Sequence, residues 1–234
     1  FHVWDYLDNS RTQEAYNKIV NGDADIIFVA QPSDGQKKRA EKSGVTLLYT
    51  PFAREAFVFI VNADNPVNSL TEQQVRDIFS GAITNWRAVG GDDQEIQTWQ
   101  RPEDSGSQTV MLSQVMKNVR MISPQETEVA SVMEGMINVV AEYRNTKNAI
   151  GYTFRYYATQ MNADKNIKLL AINGISPTAE NIRNGKYPYI VDAFMVTREN
   201  TTSETQKLVE WFLTPQGQSL VEDVGYVPMD KTLH

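Results

Sequence analysis

The chain of 234 residues contains no cysteine, and this absence excludes three kinds of chemistry. Disulfide bonds, metal sites built on thiolates and a cysteine nucleophile all require the missing side chain. Histidine is nearly absent as well, since the two that occur, His2 and His234, stand at opposite ends of the sequence. A Ser–His catalytic pair would therefore need one of the two terminal segments at the active site.

Long apolar runs and an excess of positive charge are also missing. No run approaches the roughly 18 apolar residues of a membrane-spanning helix, and residues 1–7 lack the basic start of a signal peptide. Lys and Arg number 22 against 29 Asp and Glu, which gives a formal net charge of −7. We therefore expect neither nucleic acid nor an anionic membrane surface as partner, because both require a basic face. A small anion held by local donors remains compatible with this charge.

What the chain does contain is the material of a folded α/β protein. Hydrophobic residues make up 41% of the sequence, enough for one large domain or two lobes of about 100 residues each. Short apolar runs alternate with amphipathic helical patterns, an order typical of α/β folds. The run at 26–30 predicts a strand buried on both faces of a parallel sheet, and the runs at 56–61 and 149–154 predict two further strands.

Capping residues mark where several helices should begin. Ser10 and Gln13 have the spacing of a capping box, and a helical pattern follows as far as Gly22. Thr71 and Gln74 repeat the same spacing before a helix that Gly81 should end. A longer helix is predicted over roughly 129–144. No calcium-binding frame, phosphate-binding P-loop or dinucleotide-binding glycine motif occurs, so we expect no metal ion and no cofactor.

The segment 101–109 joins a cation to a turn that opens a helix. Arg101 stands four residues ahead of Ser105, Gly106 and Ser107, and an apolar helical pattern follows them. A guanidinium group together with the first amides of a helix is a combination that suits a small oxyanion. A different interpretation remains open here: Ser105 could simply cap the helix, and Arg101 could pair on the surface with Glu103 or Asp104.

Several motifs, taken in order along the chain, resemble the substrate-binding proteins of ABC phosphate importers. The resemblance covers nearly the whole chain and is specific when the motifs are taken together. The matching segments are 56–62 with Asn65 and Pro66, 70–81, 83–86, 89–91, Arg101 with 105–107, 149–152 and 217–228.

This resemblance implies a type II periplasmic-binding-protein fold, in which two α/β lobes are joined by two crossing strands. Residues 1–60 and 190–234 would form the first lobe, and residues 61–189 the second. The crossings would lie near residues 57–61 and 189–195. Compared with the family, the first strand and first helix are expected to be missing from this chain, so that the first sheet would have a gap.

The resemblance also carries ligand residues onto matching positions. The arginine of the family corresponds to Arg101, and its Ser-Gly-Thr/Ser motif corresponds to Ser105, Gly106 and Ser107. A hydroxyl at the start of a first-lobe helix corresponds best to Thr12, although Ser10 is close enough to compete. Where the family often has an aspartate that accepts the proton of hydrogen phosphate, this chain has Gln31 as the nearest candidate.

The expected function is the capture of phosphate, or of a similar tetrahedral oxyanion, for delivery to an ABC importer. The family implies a monomer that works with a membrane permease outside the cytoplasm, held there by a lipid anchor that this chain lacks. Two alternatives stay open: a non-transporting sensor or interaction module whose anion site has degenerated, and a serine hydrolase. The hydrolase is disfavoured because Ser105 lacks the G-x-S-x-G frame.

Overall fold

The computed structural model of the chain describes residues 11–103, 105–124, 147–159 and 166–229. The strands are β1 (Ile26–Val29), β2 (Leu47–Asn62), β3 (Ser69–Leu70), β4 (Gln97–Thr98), β5 (Ala149–Phe154), β6 (Ile167–Leu169), β7 (Ala171–Ile172), β8 (Ile190–Arg198) and β9 (Val227–Pro228). The α-helices are α1 (Thr12–Asn21), α2 (Asp34–Lys42), α3 (Glu72–Ser80), α4 (Gly106–Val110), α5 (Arg155–Thr159), α6 (Ala179–Arg183), α7 (Ser203–Phe212) and α8 (Pro215–Asp223). A 3₁₀ turn covers Trp86–Val89, and α4 continues as a π-helical segment, Met111–Met116.

Strand β2 is 16 residues long and belongs to two regions of sheet. From Leu47 to Ala56 it pairs with β8, and from Phe57 to Val61 it pairs with β5. The strand order along the sheet is β1-β8-β2-β5-β4, and β9 and β6 also pair with β2. We call the part formed by β1, β8, β9 and residues 47–56 the first half-sheet, and the part formed by β4, β5, β6 and residues 57–62 the second half-sheet.

The two half-sheets meet where two backbone segments run side by side. Phe57 N donates to Tyr189 O at 2.9 Å, immediately before β8 begins. Both residues are buried, at 0% and 2% exposure. All of β8 pairs within the first half-sheet, through β1 on one side and β2 on the other. The division of the chain into lobes at residues 60 and 190 remains a prediction.

The largest hydrophobic core surrounds the second half-sheet. Residues 56–61 form part of a strand, as predicted, and are completely buried; the rings of Phe57, Phe59, Phe79 and Tyr152 contact one another there. Two smaller cores pack on the first half-sheet: one beneath α1 and α2, and one beneath α7 and α8. Layers of helix on a central mixed sheet confirm the predicted α/β class.

The prediction that residues 26–30 form a strand buried on both faces of a parallel sheet is wrong in direction and in burial. Strand β1 pairs antiparallel with β8, and its burial alternates, so that Ile27 is buried while Phe28 is 46% exposed. Within the described part of the chain β8 is its sole strand neighbour. A short apolar run does not reveal strand direction, and at a sheet edge one face of such a strand can meet solvent.

The capping predictions had mixed outcomes. Thr71 and Gln74 form the expected capping box, with Gln74 N donating to Thr71 Oγ1 at 3.0 Å and Thr71 N donating to Gln74 Oε1 at 2.8 Å. Helix α1 begins at Thr12 with Arg11 as its N-cap residue, one position later than the predicted cap at Ser10, and Arg11 makes no side-chain cap. Ser10 itself and the helix predicted over 129–144 lie outside the described residues.

No helix among the described residues is long and apolar enough to cross a membrane. Within the same residues, no group of three or more His, Asp or Glu side chains is placed to hold a metal ion.

Gly217, in the first turn of α8, packs against the end of α7 and yields a stability prediction. A Cβ atom on Gly217 would lie 2.3 Å from Trp211 O and 2.6 Å from Phe212 Cα, so both clashes are with backbone. Gly217→Ala should therefore lower the free energy of unfolding by about 2 kcal/mol or more, measured by denaturant titration. Gly35→Ala is the matched control, since its Cβ meets nothing closer than Ser33 Oγ at 3.7 Å in the first turn of α2. An equal, small effect of both substitutions would contradict this account of the turn.

Candidate functional site

The turn between β4 and α4 is organised by Ser105. Its side chain accepts a hydrogen bond from Gln108 N at 3.1 Å, and its own amide donates to Pro102 O at 3.0 Å. The capping role that the sequence left open is therefore present. It leaves the amides of Gly106 and Ser107, in the first turn of α4, without a hydrogen-bond partner among the residues that the structure describes. Helix capping and an anion-binding first turn are compatible at this position.

Arg101 lies beneath this turn instead of on the surface. Its side chain is 7% exposed, and Nε donates to Ser107 Oγ at 3.3 Å. Its amide donates to the Tyr152 hydroxyl at 3.1 Å, and that hydroxyl donates in turn to Gln108 Oε1. The polar groups thus tie the arginine to β5 and to the first turn of α4. The structure brings together Arg101 and the three residues 105–107, as the sequence predicted.

The alternative of a surface ion pair is not supported for Glu103. Among the described residues Arg101 and Glu103 form no ion pair, and Glu103 lines a separate hollow. Asp104 lies outside the described residues. A buried guanidinium keeps more of its electrostatic strength than an exposed one, because water screens it less.

Thr12 faces this turn from the other half-sheet. A Cβ atom built on Gly106 would lie 3.6 Å from Thr12 Oγ1 and 3.2 Å from Ala30 Cβ. Thr12 opens α1, which packs against β1 and β8, whereas Gly106 opens α4, which contacts β5. The structure therefore places the Thr12 hydroxyl beside Gly106, and its role as a ligand group remains a prediction.

The side chain of Gln31 does not point toward Arg101 or the turn at residues 105–107. Its Nε2 donates to Ser113 Oγ at 3.1 Å, and Ser113 Oγ donates to Thr109 O at 2.8 Å. The amide thus points along the flank of the helical segment 106–116 and lines the separate hollow. Two residues beyond the end of β1, the side chain finds a nearby hydroxyl instead of the first turn of α4. The side chain of Gln31 therefore lies apart from Arg101 and from the turn at residues 105–107.

A cavity of about 150 Å³ lies between the half-sheets and borders the Thr12–Gly106 contact. The three residues nearest to the Gly106 Cβ position are Thr12, Ala30 and Phe154, and all three also line the cavity. Most of the remaining wall is apolar or aromatic, with two carboxyl groups among the lining residues: Phe28, Phe52, Glu55, Tyr157, Asp192 and Tyr226. We call this space the inter-sheet cavity.

Glu55 is the site residue that sequence reasoning missed. It lies on β2 one residue before Ala56 and is 6% exposed. Its two oxygens accept hydrogen bonds from Ala56 N at 2.7 Å and from Tyr156 N at 3.1 Å, so the carboxyl spans the junction of the half-sheets. Burial raises the pKa of Glu55 to about 7, although the two amides and the charge of Arg155 act in the opposite direction. A lone carboxylate in a nearly continuous apolar run could have been recognised from the sequence.

Charges around the cavity act on one another. Asp192 lies opposite Arg54 in the β2–β8 register, and burial raises its pKa against the lowering effect of that arginine. Burial also raises the pKa of Tyr157, with smaller contributions in the same direction from Tyr156 and Glu55. The positive charge of Arg101 lowers the pKa of Tyr157, which places the guanidinium group within electrostatic reach of the cavity wall.

A pair of stacked rings closes one side of the junction. Tyr156, at the start of α5, and Tyr226, just before β9, lie face to face with ring centroids 4.4 Å apart and an interplanar angle of 6°. Tyr156 follows the second half-sheet, and the chain at Tyr226 leads into the first. The stacked pair therefore connects the two half-sheets beside Glu55.

The chain has relatives among known proteins. The family model described as the PBP superfamily domain matches residues 5–216. The chain is 29% identical over 171 residues to the phosphate-binding protein PstS of Bacillus subtilis, covering 72% of this chain and 53% of that protein. It is 26% identical over 183 residues to PstS of Borreliella burgdorferi, covering 76% and 64%. The chain thus spans between half and two thirds of the length of these curated relatives.

The fold has counterparts among solved structures. A substrate-binding protein assigned to phosphate ABC transport in Clostridium perfringens, solved with bound phosphate, superposes with a TM-score of 0.76. The sequences are 23% identical, and the alignment covers 93% of this chain and 84% of that protein. At this identity the likeness shows the fold. The two curated relatives are named as phosphate-binding proteins.

The raised pKa of Glu55 predicts how stability depends on pH. Between pH 4.5, the ordinary pKa of the group, and about 7, the folded protein holds a proton that the unfolded chain releases. The free energy of unfolding should therefore fall as pH rises across this window, by about 3 kcal/mol from this group, and level off above it. Denaturant titrations at several pH values measure the slope.

Glu55→Gln should remove most of that slope, because the side chain no longer titrates. Glu41→Gln, an exposed substitution in α2, is the control and should keep the parent slope. If Glu55→Gln and the parent have the same pH profile, the buried carboxyl is not the source of the effect.

Proposed function

Because the chain belongs to the PBP superfamily and has a type II periplasmic-binding-protein fold, we propose that it captures phosphate, or a similar tetrahedral oxyanion, for an ABC importer. The anion would lie between the half-sheets, at the first turn of α4. The observation that carries this proposal is the convergence of Arg101, the hydroxyl of Thr12, and the amides of Gly106 and Ser107, to which no group in the described part of the chain bonds.

These groups suit a tetrahedral anion for a physical reason. Phosphate is strongly hydrated, so its transfer from water requires donors for nearly all of its oxygens. A guanidinium group presents several N–H donors in a planar fork, and the first amides of a helix point outward along the helix axis. Gly106 has no side chain, which lets a ligand approach the backbone closely.

Binding between the half-sheets would also favour closure. The donors at α4 follow the second half-sheet, and Thr12 stands on the first. An anion that contacts both sets at once binds the closed arrangement more tightly than an open one, and this difference is what shifts the population. We propose that the half-sheets are the cores of the two predicted lobes, residues 1–60 with 190–234 and residues 61–189, with the crossing of β2 from one lobe to the other at residues 57–60, which pair with β5.

The cellular setting belongs to the same proposal. We infer that the protein acts as a monomer outside the cytoplasm, is held there by a lipid anchor, and delivers its ligand to a membrane permease. The support is membership of the superfamily together with relatives named as phosphate-binding proteins. The competing function is a sensor or interaction module with a degenerate anion site, and the position of Gln31, turned toward Ser113, favours it.

Ligand-induced stabilisation separates these two functions. A phosphate-binding protein should gain about 2.7 kcal/mol in free energy of unfolding at a hundredfold excess of phosphate over the dissociation constant. A degenerate module should gain nothing from phosphate, sulfate or arsenate over the same concentration range. Thermal or denaturant unfolding across this set of anions gives the answer.

Arg101→Lys tests the anion donors while keeping the positive charge. An ammonium group lacks the fork, so phosphate affinity measured by calorimetry should fall about tenfold or more. This conservative change is preferable to Arg101→Ala, since removal of a buried and hydrogen-bonded guanidinium also affects folding. Arg87→Lys, on the surface and paired with Asp93, is the matched control and should bind as the parent does. Equal affinity of parent and Arg101→Lys would place the anion elsewhere.

Gly106→Ala tests the position of the anion independently. The new methyl group would lie 3.2 Å from Ala30 Cβ and 3.6 Å from Thr12 Oγ1, in the gap that the ligand would need. Phosphate affinity should fall about tenfold or more, while the free energy of unfolding changes by less than about 1 kcal/mol. Gly35→Ala, in the first turn of α2, serves as control. Unchanged binding by Gly106→Ala would argue against a ligand at this turn.

A further inference from the structure

The walls of the inter-sheet cavity differ in chemistry from the anion donors beside it. At the Thr12–Gly106 edge the cavity meets a hydroxyl group and the first turn of α4. Elsewhere its wall carries the carboxyl groups of Glu55 and Asp192 and a connected set of rings. Phe52 contacts both Phe28 and Tyr226 in this set, with centroid distances of 5.4 and 6.1 Å.

Inorganic phosphate offers no cation to the carboxyl groups of this wall and no apolar surface to its rings. An anion at the α4 turn would have two carboxyl groups as neighbours in the same cavity, and like charges repel strongly where water is scarce. The rings offer apolar faces to a ligand that is itself strongly hydrated. A ligand whose far end is positively charged would turn both mismatches into favourable contacts, because carboxylates and aromatic faces attract an ammonium group.

We propose that the inter-sheet cavity binds a small phosphate ester or phosphonate that carries an ammonium group. Its tetrahedral head would lie at the Thr12–Gly106 edge, and its ammonium group beside Glu55, Asp192 and the ring of Tyr226. This inference rests on the proposed function, since it takes the anion site as given and names the class of ligand that fits the whole cavity.

The cavity volume limits the substituent to a short one. At about 150 Å³ it equals the volume of an engineered protein cavity that binds benzene, a ligand of six heavy atoms. An aminoethyl group adds three heavy atoms to a phosphonate head and suits this space.

Few positive charges lie near the carboxyl group of Glu55. Arg155, on α5, exerts a favourable charge effect, but its Nε donates to Pro177 O at 2.9 Å. Tyr157 on α5 and Tyr226 before β9 contribute hydroxyl groups, and Asp192 on β8 contributes a second carboxyl. The positive neighbours of Glu55 are thus outnumbered by acidic and phenolic ones.

Asp192 has a cation near it that is likewise engaged elsewhere. Arg54 lies opposite it in the β2–β8 register, yet Arg54 Nη1 donates to Arg183 O at 2.9 Å. Asp192 is half-buried, so a ligand in the cavity can reach it without unfolding β8. Asp192 is a better residue for substitution than Glu55, because the Glu55 side chain accepts hydrogen bonds from the backbone amides of Ala56 and Tyr156 at the junction.

Calorimetric titration with three probes tests the proposal: inorganic phosphate, ethylphosphonate and 2-aminoethylphosphonate. The last two differ only in the ammonium group, so their affinity ratio measures the contribution of the cation. We expect 2-aminoethylphosphonate to bind about tenfold or more tightly than ethylphosphonate. Asp192→Asn should reduce that ratio to about threefold or less and strengthen the binding of inorganic phosphate. Glu41→Gln is the control and should change neither value.

Proton exchange gives a second readout that a merely structural carboxyl would not affect. At pH 7 Glu55 is partly protonated, and a nearby ammonium group lowers its pKa, so binding of 2-aminoethylphosphonate should release protons. Inorganic phosphate itself titrates near pH 7, so its proton number is compared between the parent and Glu55→Gln; the parent should take up more protons, because a negative neighbour raises the pKa of Glu55. Titrations in two buffers of different ionisation enthalpy measure the number of protons and its sign.

The outcomes separate this inference from the proposed function. If phosphate binds but 2-aminoethylphosphonate binds no more tightly than ethylphosphonate, the inference is overturned and the proposed function stands. If none of the three probes binds, the proposed function fails and the inference fails with it. If 2-aminoethylphosphonate binds equally well to the parent and to Arg101→Lys, its head is not at the α4 turn, and this too overturns the inference.

Discussion

The backbone hydrogen bonds of β2 hold the structure together, because this one strand pairs with β8 as far as Ala56 and with β5 from Phe57 onward. Each half-sheet takes part of its core from the same strand, and residues 56–61 are completely buried there. Because β2 exchanges β8 for β5 as its partner, α1 lies on one side of the space between the half-sheets and α4 lies on the other. The groups proposed to donate hydrogen bonds to the anion, on Thr12 and on residues 101–107, therefore lie close together although they are far apart in the sequence.

Electrostatics divides the space between the half-sheets into two regions. Near α4, a buried guanidinium group and unpartnered amides favour negative charge. Near the junction, Glu55 and Asp192 favour positive charge, and burial opposes the ionisation of both. The net charge of −7 predicts the charge preference of neither region. A closed site responds to the groups within a few ångströms and not to the sum of charges over the surface.

Sequence reasoning reached the parts of the fold that depend on local pattern. The apolar run at 56–61, the capping box at Thr71 and the turn at 105–107 each have a physical cause within a few residues, and each was found. The antiparallel direction of β1 depends on its partner β8, about 170 residues away, so no local pattern contains it. The position of Gln31 depends on Ser113, and the burial of Glu55 depends on β5 and α5. Only the assembled chain brings these groups into contact.

The stacked rings of Tyr156 and Tyr226 constrain how the two halves of the molecule can move. Two parallel rings in contact can slide within their common plane with little change in contact area, whereas lifting one from the other exposes both faces to water. The stacked pair therefore resists separation of α5 from the chain that leads into β9 more strongly than it resists sliding of one segment along the other.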